Sequence, residues 1–356
     1  MTVSEPRPKK RFGVKRWIIL ALVALGIYCA FIGPSILKPI SPVVVLPAEP
    51  TGMSIGGFEI TNTILATLIV DVLLLLLAFG AFRFSKSGQL VPSGFVNAFE
   101  AIIEFLWNSV ESTAGKWARR IFPIPATIFL LVFMANMIKL VPGFESIGRL
   151  KEVHEGTGYA PVVLVKLGSF SIYTIDKGKP VTPAEHTGEE ASAGATVSDG
   201  EQVSQNTAVC QACEIVPFLR GSATDLNFPL ALAVTAVVLT QLIGVWAQGA
   251  GYFEKFLQVR ALVSGGLFGM INFAVGFLEI ILEFAKILSF SFRLFGNIFA
   301  GALLLSLVGV LVAVAVPPFL YGVEVFFGTI QAYLFFLLAT VFISGATAGH
   351  AGGEHQ

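Results

Sequence analysis

Hydrophobic positions along this chain gather into long, nearly unbroken runs, separated by short charged, glycine-rich or proline-rich segments. About 20 apolar residues in a helix cross the ~30 Å hydrocarbon core of a bilayer. Runs of that length fall at 62–82, closed by Arg83 and Lys86; at 121–141, preceded by Arg119 and Arg120; at 226–247, followed by Lys255 and Arg260; and at 319–345. A shorter run, Trp17 to Ile32, follows the basic stretch R-P-K-K-R-F-G-V-K-R. It reads as a signal peptide or as a first membrane helix, and the absence of a clear small-x-small cleavage site favours an uncleaved helix. Between 92 and 118 the pattern changes. Phe95, Phe99, Ile102, Ile103, Leu106 and Val110 recur at helical spacing, with Glu100, Glu104, Asn108 and Glu111 between them. This predicts an amphipathic helix lying along the inner surface. From Val263 to Gly309 the chain has no proline and reads as helix throughout. At 1.5 Å per residue that is roughly 70 Å, so the segment must tilt or bend unless it is two helices. Pro317 and Pro318 mark a turn before the last span.

The predicted fold is an all-α polytopic membrane protein of five or six transmembrane helices, one amphipathic surface helix and two long tilted C-terminal helices, with an extramembrane insert between spans. Five regions follow: 1–60, a basic segment, first apolar run and external linker; 61–142, membrane helices with the surface helix; 143–222, an external hydrophilic insert; 223–348, ion-translocating helices; and 349–356, a short tail. The linker, residues 33–58, reads as extended. Within the insert, Val162–Leu167 and Ser169–Ile175 read as strands, and about Lys177–Asn206 as disordered. Basic residues flanking the spans place both termini inside, in the cytoplasm, if the first run is retained.

Composition agrees with this and removes other classes. The chain is 55% hydrophobic and 13% charged, with a formal net charge of zero, so nothing points to nucleic acid. Cys210 and Cys213 form C-Q-A-C, short of the four ligands of a structural zinc site; they make a local disulfide or two free thiols. His350 and His355 fall in the tail as solvated residues. No metal or cofactor is implied. The chain has no G-x-x-x-x-G-K-[ST], H-E-x-x-H or G-x-S-x-G motif, so no nucleotide chemistry and no intramembrane protease is expected of it, and it reads as a membrane protein that moves ions. The alternative is a self-contained secondary ion transporter, which would show repeated halves with interrupted helices.

Candidate chemistry sits in the last two helices. Glu279, Glu283, Lys286, Arg293 and Asn297 are spaced by four, three, seven and four, and so share a helical face. Ionised groups at membrane depth cost about 3 kcal/mol each, so they are rare there and usually functional. Glu283 and Lys286 can pair with each other. Arg293 has no carboxylate one turn away, so its counter-ion must come from another helix or another chain. A guanidinium does not release its proton. It can favour proton release from a carboxylate brought near it, and it bars direct passage of cations. Glu324 and Gln331, seven apart, share a face of the last helix, with Gln331 at a depth similar to Arg293 and Asn297. Gly296, Ala300, Gly301 and Ala302 would admit a close helix. Asp71, mid-span, reads as a neutral, hydrogen-bonded buried residue in preference to a second functional acid, Lys139 as a snorkelling residue, and Gln241 as interhelical glue.

S-F-S-F-R-L-F-G-N-I-F-A-G resembles the signature of the a subunit of rotary F-type ATP synthases, as do I-Q-A-Y-L-F-F-L-L-A-T-V-F-I, F-M-A-N-M-I-K-L-V-P and D-L-N-F-P-L-A-L-A. The resemblance covers about residues 55–142 and 222–346. It implies a stator subunit cupping a ring of c subunits, with the b subunit of the stator stalk and the rest of the complex as further partners. Protons would enter by an outer half-channel, ride a ring carboxylate and leave by an inner one. Arg293 would separate the two. Asn297 and Gln331 match the polar residues beside it, and Glu279 an acid of the inner channel. The family pairs the Glu324 position with an acid or His where this chain has Ala302, so Glu324 is expected to lack a charged partner from that site.

Overall fold

The computed structural model describes residues 17, 20–21, 24–25, 28, 48–86, 94–141, 143–145, 147–153, 158–167, 170–181, 210, 212–256, 266–311 and 316–347. The choice between first helix and signal peptide falls almost wholly outside the described residues, as do the tail histidines. The chain divides into two compact units: one of Met1–Val43, Ile147–Pro217 and Leu305–Phe319, the other of Val44–Ser146, Phe218–Leu304 and Leu320–Gln356.

The first unit carries a four-stranded antiparallel sheet of β3 (Gly148–Glu152), β4 (Gly158–Leu167), β5 (Phe170–Val181) and β6 (Cys213–Pro217), in the order β3-β6-β4-β5. The strands read from β-branched residues are therefore present. β5 pairs as far as Val181 with Gly158, so the stretch expected to be disordered from Lys177 is strand at its start. Residues 182–206 lie outside the described residues. Backbone pairing explains the difference, because β4 offers a partner that the sequence of β5 alone does not reveal. Tyr159, Ile175 and Cys213 form this unit's small core, and a disulfide joins Cys210 to Cys213.

The second unit opens with a hairpin, β1 (Pro50–Ile55) and β2 (Phe58–Thr61). This corrects the extended linker over part of its length. Gly56 and Gly57 both take positive φ, 60° and 87°, the geometry a two-residue hairpin turn needs. Thr61 then caps α1 (Asn62–Ser85) by accepting from the Ile64 amide. The amphipathic segment is α2 (Phe95–Ala114), with Leu106 and Val110 buried and its glutamates exposed. Helix α3 (Pro123–Ile138) starts on a proline. The helical stretches Val96–Ile121 and Pro123–Ile138 meet at 98°. Next come α4 (Asn227–Gln248), α5 (Gly266–Leu311) and α6 (Pro317–Thr347). The long proline-free segment is a single helix of 46 residues, about 69 Å at the α-helical rise. Pro317 and Pro318 lie in the first turn of α6 rather than in a preceding turn, where a missing amide is harmless. Among the described residues three helices, Asn62–Phe84, Asn227–Gln248 and Pro317–Thr347, are long and apolar enough to cross a membrane, or four if the bent pair is one span.

The core of this unit is wholly helical. Phe290, Leu294 and Ile298, four apart on α5, are buried with Ala332, Phe335, Phe336, Ala339 and Ile343 of α6, Val132 and Phe129 of α3, and Ala233 and Ala236 of α4. Phe290 meets Phe335 at 4.9 Å and Phe342 at 5.4 Å between ring centroids. One stripe of α5 is thereby committed to the core, and its other face is left free.

Candidate functional site

Between α3, α5 and α6 lies a cavity of about 210 Å³, lined among others by Asn136, Lys139, Asn297, Gly301, Glu324 and Gly328. Lys139, just past the end of α3, does not snorkel. Its Nζ lies 3.2 Å from Glu324 Oε2, and the two side chains are 9% and 10% exposed. Glu324 thus has a charged partner after all, from α3 rather than from the Ala302 position. A buried carboxylate beside an ammonium avoids the cost of stranding either charge. Glu324 Oε1, by contrast, is buried without a hydrogen-bond partner. Gly301 leaves room for it, since a Cβ there would stand 3.0 Å from that oxygen. Asn136 donates through Nδ2 to the Gly328 carbonyl at 3.1 Å, leaving its Oδ1 unpartnered. Gln331, two turns beyond Glu324, is buried with its Nε2 likewise unpartnered. Buried polar atoms without protein partners are where water is held.

Arg293 emerges from the free face of α5. Leu294 beside it is fully buried, while Arg293 is exposed and donates from Nη2 to Ser289 Oγ at 3.4 Å. Among the described residues no carboxylate pairs with it, as its spacing led us to expect. Asn297, one turn on, reaches the cavity of Glu324.

Towards the start of α5 the predicted Glu283–Lys286 pair is present at 2.9 Å. A residue that sequence reasoning left among the flanking charges joins it. Lys255, from the 3-10 turn Gly249–Lys255, lies 3.2 Å from Glu283 and 3.8 Å from Glu279. Gly276 permits this approach, because a Cβ there would meet the Phe256 carbonyl oxygen at 2.6 Å. Burial works against the charge on Lys255, but the Tyr252 and Glu283 side chains outweigh it and raise its pKa above the usual lysine value. Tyr252 also donates to Gln241 Oε1 at 2.6 Å, tying α4 to the turn that follows it.

Asp71 is neither buried nor paired in the way expected. It is exposed at the middle of α1, because the side of α1 that packs inwards is carried by Ala66 and Val70. The buried acid of this region is Asp225, which accepts from Thr63 and from the amide and side chain of Asn227. Lys139 carried one available signal: it is a cation near the end of a predicted span, level with Glu324 near the start of the last predicted helix.

Residues 64–344 match the family model described as ATP synthase A chain. The chain belongs to this family. It is 24% identical to ATP synthase subunit a of Moorella thermoacetica over 297 residues, covering 83% of this chain and 95% of the relative. Against ATP synthase subunit a of Citrifermentans bemidjiense the identity is 26% over 300 residues, 84% and 91% of the two chains. That of Mycobacterium ulcerans is 26% identical over 296 residues, 80% and 86%. Membership in the ATP synthase A chain family gives the chain its general assignment, a multi-pass membrane subunit in proton transport linked to ATP synthesis. The matched span contains Arg293, the cavity of Glu324 and the Lys255 cluster.

Proposed function

We propose that this chain is the proton-translocating stator subunit that forms two half-channels against the c-ring. The cavity of Lys139, Glu324, Asn136 and Asn297 belongs to the outer half-channel, the cluster of Glu279, Glu283, Lys286 and Lys255 to the inner one, and Arg293 separates them. The observation that carries the reading is the position of Arg293: a permanent cation on the exposed face of α5, with its counter-charge still to be supplied. A c-subunit carboxylate passing that face would supply it, and the guanidinium would favour release of its proton. Fourteen residues separate Glu279 from Arg293, about 21 Å along the helix, so the acidic cluster stands well away from the gate. Gln331 and Asn297 flank the gate as polar groups for water. Helix α2, almost perpendicular to α3, lies on the inner membrane surface. The chain sits in the inner (plasma) membrane with both termini in the cytoplasm, held by the b subunit and the rest of the complex, and nucleotide chemistry resides on other subunits. The test is ATP-driven acidification of inverted vesicles carrying Arg293→Ala complexes. Assembly with loss of pumping is expected, and near-normal pumping would overturn the reading.

A further inference from the structure

The Lys139–Glu324 pair suggests how the outer cavity treats ions other than protons. Four observations meet there. The carboxylate is about nine-tenths buried; one of its oxygens, Oε2, is held by an ammonium at 3.2 Å; the other, Oε1, has no partner; and the cavity that Glu324 lines is also lined by Asn136, whose Oδ1 is likewise buried without a partner. Without the lysine, a buried carboxylate in a cavity that Asn136 also lines offers hard oxygen donors, the kind a small metal cation takes. With the lysine, the position nearest the carboxylate is already filled by a cation that is part of the chain. Lys139 is the only cationic residue among the described residues lining the cavity. The other ionisable groups nearby are Glu145, which accepts from the Gly221 amide at 2.8 Å against the Lys139 stem, and Tyr321, three residues before Glu324 on α6.

We propose that Lys139 is a specificity residue of the outer half-channel: a resident cation that neutralises Glu324 and keeps sodium out of the cavity while leaving Oε1 open to protons. This rests on the half-channel reading above. The two ions differ in what they demand. Sodium must enter the cavity as a body with its charge and gather oxygen ligands there, where it meets the ammonium's repulsion. A proton needs only one lone pair. It passes from a protonated cavity water to Oε1, breaking that water's O–H bond and forming the O–H bond of a neutral carboxyl, and leaves from Oε1 to the next water, which is protonated in its turn. Throughout, Lys139 keeps its hold on Oε2. Lys139 is thus a positioning residue, acting through Glu324 rather than carrying the proton itself.

The experiment uses the whole complex in proteoliposomes, making ATP from an imposed proton gradient, with sodium chloride or choline chloride at equal ionic strength on the outer side. Wild type and Lys139→Arg are expected to show the same ratio of rates in the two salts. Lys139→Met is expected to make synthesis about tenfold slower in sodium than in choline, because the vacated position beside Glu324 now accepts the ion. A merely structural role for Lys139 would lower the rate in both salts alike. Equal rates in both salts for assembled Lys139→Met complexes would overturn the proposal, and so would sodium inhibition of the wild type, which needs no variant to assemble. Arg293→Ala complexes in the same preparation separate the two levels. If they synthesise ATP, the half-channel reading fails; if they do not while Lys139→Met ignores sodium, only the specificity role fails.

Discussion

Glu283 lies between two ammonium groups, Lys286 at 2.9 Å and Lys255 at 3.2 Å, with its side chain 13% exposed. That geometry predicts a strongly non-additive response to losing them. In Lys286→Met or Lys255→Met the carboxylate keeps one close cation. Both lysines are partly exposed, 28% and 18%, so each single loss is expected to cost about 1 kcal/mol, in the range of screened pairs. The double substitution strands a nearly buried charge, which costs about 3–5 kcal/mol. The difference, about 1–3 kcal/mol, is the coupling expected between the two lysines. A stepwise SDS titration of the detergent-extracted complex, following release of this subunit, measures it across the four proteins of the cycle. If the double variant equals the sum of the singles within about 0.5 kcal/mol, Glu283 is solvated on its own and the cluster does not hold the start of α5 against the turn at Lys255.

Further expectations concern single features. The raised pKa of Lys255 means that its contribution is fully present below the ordinary lysine range and is lost only as pH rises through the raised value. The release midpoint should therefore not respond to the ionisation of Lys255 between about pH 7 and pH 9, and wild type minus Lys255→Met should give a flat difference over that interval. Gly301→Val would fill the space beside Glu324 Oε1 and is expected to slow ATP-driven pumping at least about tenfold in assembled complexes; an unchanged rate would remove Oε1 from the proton route. Replacing Cys210 and Cys213 by Ser removes the disulfide. It should speed protease cleavage within residues 147–217 while leaving pumping intact, whereas a loss of pumping would make the sheet part of the ion route.

Much of this architecture was legible because membrane helices announce themselves. The limits of α1, α3, α4 and α6 fall within a few residues of the apolar runs, since length and hydrophobicity alone select a spanning helix. Strands β4 and β5 were visible in Val162–Leu167 and Ser169–Ile175. Strands β3 and β6 were not, because G-R-L-K-E and C-E-I-V-P become strands by pairing with each other. Along one helix, spacing gave reliable partners, and Glu283–Lys286 followed from it. Between helices it gave none. Lys139 was read as snorkelling because a lone lysine near a span end does so when nothing opposes it, and its partner lies 185 positions away, on α6. Asp71 failed for the same reason: which side of α1 faces the protein is set by Ala66 and Val70 packing inwards, and α1, apolar on all sides, does not declare that from its own pattern.

The central claim is that a fixed cation on the free face of α5 separates two proton routes. Its most direct test is proton flux through assembled complexes carrying Arg293→Ala, read as ATP-driven acidification of inverted vesicles together with passive proton leak in the absence of nucleotide. The account predicts no ATP-driven acidification, and none on substitution by Lys either, because an ammonium on a flexible stem does not reproduce the planar guanidinium. Normal acidification by Arg293→Ala complexes, with leak no greater than that of the wild type, would contradict it.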